Sequence, residues 1–174
     1  AQTAHQDGIC TVIRVPAPLP VEVRTRATEL AVQAAQAIDG IGVMGVELFL
    51  MPHGELLVNE VAPRPHNAGH FTIEGCETSQ FENHIRAVLG WPLGITKLRV
   101  PSAVVVNILG KREGEANPDG AHRALSVGGA HVHMYGKRLV REGRKMGHIT
   151  VLADTMSIEE AEASARHAEA LVDL

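Results

Sequence analysis

Glu47, Glu60, Arg64, His66 and Asn67 lie within or just beyond one short run, VELFLMPHGELLVNEVAPRPHN, residues 46–67. Pro52, His53 and Gly54 supply a turn, and the residues on either side are rich in β-formers. A hairpin folded at that turn sets Glu47 opposite Glu60, on the same face as Phe49 and Val58. Cross-strand partners stand about 5 Å apart at Cβ, where two like charges destabilise the pair. Two solvated edge residues would give the same pattern. Glu47, however, lies inside GVMGVELFLM, whose apolar neighbours predict a strand covered on both faces. A carboxylate in such surroundings either raises its pKa or acquires a cation. Two facing carboxylates offer hard oxygen ligands, which magnesium takes together with substrate phosphates. Asn59 adds a neutral side-chain ligand only if the strand bulges there.

The segment NEVAPRPHNAGH then places Arg64, His66, Asn67 and His70 directly downstream of Glu60. Arg64 offers a planar fork for a carboxylate or phosphate. Pro63 and Pro65 restrict the backbone beside it. Taken alone, these residues suit an ordinary polar loop; beside an acid pair they suit an anion site. A second cationic segment, GKRLVREGRK at 136–145, holds five basic residues and one acid, a pattern shared by solvated turns and phosphate-binding loops. His131 and His133 alternate on one strand face, with no third ligand at a useful spacing. Cys76 reads as a small buried residue rather than a nucleophile.

The elements that must position these groups follow from periodicity. Residues 9–15 form a β-branched strand ending in a Pro-rich turn. Residues 21–38 repeat apolar side chains at helical spacing (Val23, Ala27, Leu30, Ala31, Ala34, Ile38) before Gly40. The hairpin occupies 43–51 and 55–61, followed by an aperiodic loop. Ser79 and Glu82 form an S-x-x-E capping box for a helix whose apolar face is Phe81, Ile85, Val88 and Leu89. Beyond Gly94 come a core strand at 103–109, a turn-rich connector at 111–129, and strands at 130–135 and 147–152. A terminal helix then starts from the Ser157–Glu160 capping box. The fold class is α+β, divided into 1–95 and a small β-rich domain at 96–174.

Composition narrows the classes of function. The 174 residues are 45% hydrophobic, enough for a buried core. A net charge of −4 and only 3% aromatics argue against nucleic acid, and no apolar run reaches transmembrane length. Two cysteines make no disulfide framework, consistent with a reduced, cytoplasmic setting. The opening AQTAHQDGICTVIRVPAP reads like the middle of a domain, so the chain is expected to be a fragment.

The string GVMGVELFLMPHGELLVNEVAPRPHNAGHFTIEGCETSQFENHIRAVLGWPL closely resembles the ATP-grasp core of the 5-(carboxyamino)imidazole ribonucleotide synthase family. HQDGI before the first strand and HVHMYGKRLVREGRKMGHITV near the end agree, so the likeness covers nearly all the chain. The resemblance implies the C-terminal half of an ATP-grasp domain, an antiparallel sheet with helices, followed by a small β-rich C-terminal domain. It implies a carbon–nitrogen ligase of purine biosynthesis that uses ATP, magnesium and bicarbonate to carboxylate 5-aminoimidazole ribonucleotide through carboxyphosphate. Glu47 and Glu60 match the family's magnesium glutamates. Arg64, His66 and Asn67 match the residues that hold bicarbonate and carboxyphosphate. Lys137, Arg144 and Lys145 lie where the family contacts the ribonucleotide phosphate. The family is commonly a homodimer, and the 174 residues alone are expected to be inactive. Rival readings are another ATP-grasp ligase or carboxylase, and a non-catalytic assembly or ligand-binding domain.

Overall fold

The computed structural model describes residues 1–117 and 120–174. In chain order the elements are β1 (Gln2–Gln6), β2 (Ile9–Val15), α1 (Val21–Ala37), β3 (Gly45–Leu50), β4 (Leu56–Ala62), α2 (Thr72–Gly75), α3 (Gln80–Val88), β5 (Ser102–Leu109), β6 (Gly114–Glu115), α4 (Ala121–Ala124), β7 (Ala130–Met134), β8 (Leu139–Val140), β9 (Lys145–Ala153) and α5 (Ile158–Ala170). The expected mixture of helices and antiparallel sheet is present. Two positions of the connector at 111–129, Pro118 and Asp119, lie outside the described residues. The chain forms two compact units: Ala1–Pro16 with Leu98–Leu174, and Ala17–Lys97.

The first unit is an antiparallel sheet of order β1-β2-β5-β9-β7. Val104, Val106 and Ile108 of β5 and Met146, Ile149 and Val151 of β9 are buried in one core with Ala161, Ala165 and Ala168 of α5. The alanines recur along one helix face, and their small side chains let the helix lie close to the sheet. The α5 start is a complete capping box: Ser157 Oγ accepts from the Glu160 amide, and Glu160 reaches back to the Ser157 amide. Arg14 on β2 donates to Glu162 on α5 at 2.6 Å, and Arg166 donates to the same carboxylate at 2.9 Å. Burial by itself raises the Glu162 carboxyl, but these two hydrogen bonds and charges outweigh it and hold Glu162 below the usual glutamate range.

Strand β1 lies outside the expected elements. Its residues are polar, which suits an edge strand, and Gln6 pairs with Ile9 across a two-residue turn. Asp7 and Gly8 both have positive φ there, 50° and 77°. The Asp-Gly dipeptide is a strong signal for such a hairpin. Because β2 pairs with β5, the first strands share a sheet with the C-terminal segment.

In the second unit α1 packs against the β3–β4 hairpin, and Arg26 Nη2 donates to the Gly54 carbonyl in the turn at 2.5 Å. Val23, Ala27, Leu30, Ala31 and Ala34 form the less exposed face of α1, as the periodicity predicts, whereas Ile38 lies past the helix end and is exposed. Helix α3 reverses its expected orientation. Phe81, Ile85, Val88 and Leu89 are exposed, whereas Gln80 and Asn83 are buried. The cause is specific hydrogen bonding on the polar edge. Asn83 clasps the backbone of Gly94, accepting from its amide at 2.8 Å and donating to its carbonyl at 3.4 Å. Only half of the Ser79–Glu82 capping box forms: Ser79 Oγ accepts from the Glu82 amide, while the Glu82 carboxylate pairs with Arg86 at 2.6 Å.

Candidate metal centre

Register decides the first question. Glu47 pairs with Glu60, as the hairpin predicts. The next rung joins Leu48 to Val58, so the ladder slips by one residue and Asn59 becomes the extra residue of a β-bulge. The bulge corrects the expected face. Val58 stands opposite Leu48, and Leu57 takes the place opposite Phe49. It also brings the Asn59 amide to the acids, where Nδ2 donates to Glu47 Oε2 at 3.2 Å.

Among the described residues the acids have no separate cationic partners; they share His66. Its Nε2 lies 3.4 Å from Glu47 Oε1 and 3.8 Å from Glu60 Oε1. One candidate ligand atom each from Glu47, Glu60 and His66 falls within 4.8 Å of the others, the one such triad among the described residues. The two carboxylates are hard oxygen donors that fit magnesium, and the imidazole stands beside them. Glu47 is partly exposed and Glu60 more so, at 33% and 54% of their side-chain surface. Phe49, Leu57 and Val58 are exposed as well, which corrects the expectation of a strand covered on both faces.

His66 is the well-fixed member of the triad, with 13% of its side chain exposed. Its ring lies against Gly45, the first residue of β3, where a Cβ would come within 2.5 Å of the ring. The Ala68 amide donates to His66 Nδ1 at 3.4 Å, capping the short 3₁₀ turn Asn67–Gly69. With Nδ1 accepting, the ring proton belongs on Nε2, facing the carboxylates. Asn67 opens this turn beside His66. Arg64 is exposed, and its Nη1 donates to the Pro65 carbonyl at 3.2 Å, so it lies next to the triad in sequence without joining it.

Lys137, Arg144 and Lys145 belong to the other unit. Lys137 Nζ donates to the Lys145 carbonyl at 2.6 Å, and Arg144 Nη1 donates to the Leu139 carbonyl at 2.7 Å. Burial, followed by the charges of Arg144 and Lys145, pushes the Lys137 ammonium below its ordinary value. Three cations that repel one another form a potential anion site. Lys137 also sits over the Tyr135 ring at 5.6 Å, and Tyr135 hydroxyl meets His148 Nδ1 at 2.9 Å. His133 stacks on His148, with ring centroids 4.5 Å apart. Both cysteines are buried, and no disulfide joins them.

Comparison with known proteins shows what this chain is similar to. The model of the ATP-grasp domain matches residues 1–81, and that of the phosphoribosylaminoimidazole carboxylase C-terminal domain matches residues 103–164. The N5-carboxyaminoimidazole ribonucleotide synthase of Mycobacterium tuberculosis is 45% identical over 170 residues, 94% of this chain and 39% of that protein. The chain is similar to carboxyaminoimidazole ribonucleotide synthases, with an ATP-grasp match over its first part. The phosphoribosylaminoimidazole carboxylase of Schizosaccharomyces pombe is 44% identical, over 88% of this chain and 29% of its own length. The Aspergillus clavatus synthase, solved with ADP and 5-aminoimidazole ribonucleotide, superposes with a TM-score of 0.86 at 40% identity, covering 99% of this chain and 46% of that one. The chain thus spans less than half the length of these relatives. Among the described residues, no helix is long and apolar enough to cross a membrane.

Of the residues missed by sequence reasoning, Gln80 and Gly45 matter most, since both touch His66. The only signal for Gln80 was its place directly after the Ser79 cap. Gly45 carried none, because the need for it arises from a ring supplied by a distant loop.

Proposed function

We propose that these residues form part of an ATP-dependent carbon–nitrogen ligase that carboxylates 5-aminoimidazole ribonucleotide with bicarbonate in purine biosynthesis. The reading rests on these similarities and is carried by one observation: Glu47 and Glu60 face each other across the hairpin and share His66. Glu47 and Glu60 would hold magnesium, which, when bound, neutralises charge on the phosphate oxygens of ATP during phosphoryl transfer. Arg64 orients bicarbonate, and then carboxyphosphate, through its planar fork. His66 and Asn67 hold the same anion beside the acid pair. Lys137, Arg144 and Lys145 hold the ribonucleotide phosphate, with the lysines as point charges and Arg144 as a fork.

The chemistry explains why such residues are required. Bicarbonate is a poor electrophile until its oxygen receives the γ-phosphoryl group, which gives carboxyphosphate and ADP. The amine of the ribonucleotide then attacks the carboxyl carbon and expels phosphate. Carboxyphosphate is labile in water, so the loop must hold it away from solvent until attack.

The division into 1–95, the C-terminal part of the ATP-grasp domain, and 96–174, the small C-terminal domain, belongs to this proposal. The family models change over between residues 81 and 103, which supports it. The exposed apolar face of α3 supports a homodimer, and the absence of a disulfide framework supports a cytoplasmic setting.

The test is ATP hydrolysis in the presence of bicarbonate and 5-aminoimidazole ribonucleotide, measured on a full-length protein carrying these 174 residues. Release of ADP that depends on both substrates supports the reading; ADP release indifferent to the ribonucleotide refutes it. The 174 residues by themselves are expected to show negligible turnover.

A further inference from the structure

Gln80, at the start of α3, is buried, and its carboxamide makes more hydrogen bonds than a helix N-terminus requires. Its Oε1 accepts from the His66 amide at 2.9 Å, and its Nε2 donates to the His66 carbonyl at 2.8 Å. The clasp reads both polar groups of one residue, as a neighbouring strand would. The second Nε2 proton points at His70 Nδ1, 2.9 Å away. An amide nitrogen can only donate, so His70 accepts there and carries its own proton on Nε2. These three partners also fix which end of the amide is oxygen, because a flipped carboxamide would set NH2 against N–H.

The surroundings lock this arrangement from both sides. The Gln80 amide donates to Thr72 Oγ1 at 2.9 Å, and Thr72 donates to the Gly69 carbonyl at 2.6 Å. A Cβ on Gly69 would run into Gln80 Oε1, so a larger residue there would have to displace the carboxamide from His66. His70, held by Gln80, stacks on Phe81 with centroids 5.6 Å apart. The loop that carries Arg64, His66 and Asn67 is therefore anchored by one buried side chain of a helix that bears none of the proposed ligands.

We infer that Gln80 is a positioning residue, whose carboxamide holds the His66 peptide so that the imidazole meets Glu47 and Glu60 with its protonated nitrogen. The inference rests on the proposed role of that triad as a divalent-cation and anion site. Gln80 touches no substrate; it acts through His66. A buried group that orients a group at a metal site typically changes affinity or activity 10- to 100-fold when removed.

Two readouts test this in the 174-residue chain, with Gln80→Ala and, should that variant fold poorly, Gln80→Glu, which keeps Oε1 and loses both donors. The first is the imidazole ¹⁵N spectrum without added metal. In the unaltered chain His66 should show one protonated and one accepting nitrogen; in the variant the two shifts should move towards each other. The second is Mn²⁺ affinity in a double-mutant cycle with His66→Ala. Gln80→Ala alone should weaken binding by about tenfold, and should add nothing once His66 is gone. Unchanged His66 signals in a folded variant, or effects that add in full, would overturn the inference. The first readout involves no metal, so an unaltered chain that binds no Mn²⁺ defeats the metal reading while leaving the role of Gln80 to the spectrum.

Discussion

Asn59 stands out of the β3–β4 ladder and donates to Glu47 Oε2 at 3.2 Å. One bulged residue thus supplies a polar side chain to the acid face, which a regular strand would have turned away. The same slip places Leu57 opposite Phe49. Deleting Asn59 should restore a regular ladder with Val58 still opposite Leu48 and Leu57 still opposite Phe49, and should remove the amide from Glu47. The expected result is a chain that still folds and binds divalent cations more weakly, seen by titration with Mn²⁺.

Like charges across the hairpin give the second prediction. Glu60→Gln should leave the metal-free stability unchanged or slightly raised, by about a few tenths of a kcal/mol, because an exposed repulsion is relieved. With millimolar magnesium the order should reverse, since only the unaltered chain gains from ligand binding. Thermal melts with and without the ion check this. A Glu60→Gln chain less stable without metal would show that the pair attracts through His66 more than it repels.

Helix α3 tests which edge of an amphipathic helix is anchored. Ile85→Gln lies on the exposed apolar face and should change stability by within about 0.5 kcal/mol. Asn83→Ala removes both hydrogen bonds to Gly94 and should cost about 1–3 kcal/mol, because it leaves backbone groups without their partner. Urea unfolding of the two variants gives the comparison.

Glu162 carries a pH dependence of definite sign. Its carboxyl is depressed in the folded chain, so its contribution is fully present above the ordinary glutamate value near 4.5 and is lost as pH falls through the lower folded value. Glu162→Gln should therefore be less stable than the unaltered chain at pH 7, by about 1–3 kcal/mol from two charge-assisted hydrogen bonds. The gap should close as the pH is taken below about 4.5. A gap that persists in acid would assign the loss to packing.

Lys137 has the opposite character. Its folded value lies below the ordinary lysine value of 10.5, so its charge opposes folding at neutral pH, and that penalty fades as pH rises through the folded value towards 10.5. A bound phosphate favours the charged form. Inorganic phosphate should raise the melting temperature at pH 7, and the increment should shrink as pH climbs towards 10.5. Lys137→Met should abolish most of that increment.

How much of this was legible in the sequence depends on how local the determining physics is. Strand β2, the hairpin, β5 and the Ser157 cap follow from alternation, turn residues and a four-residue motif, all read within one element. The facing of Glu47 and Glu60 followed from the turn alone. The bulge did not, because no short-range pattern marks where a ladder slips. The apolar face of α3 was misread for a related reason. Periodicity identifies the stripe but not which side is bound, and the clasps of Gln80 on His66 and Asn83 on Gly94 decide that. Gly45 and Gly69 were invisible for the same cause: each is needed because a side chain from elsewhere in the chain passes over it.

The most direct measurement is Mn²⁺ binding by the 174-residue chain, followed by electron paramagnetic resonance, with Glu47→Gln and Glu60→Gln alongside. Manganese shares the preference of magnesium for carboxylate ligands. The unaltered chain should bind the ion, and each substitution should weaken it by about tenfold or more. Equal affinity in all three chains would contradict the account, because the two facing carboxylates would then hold no cation between them.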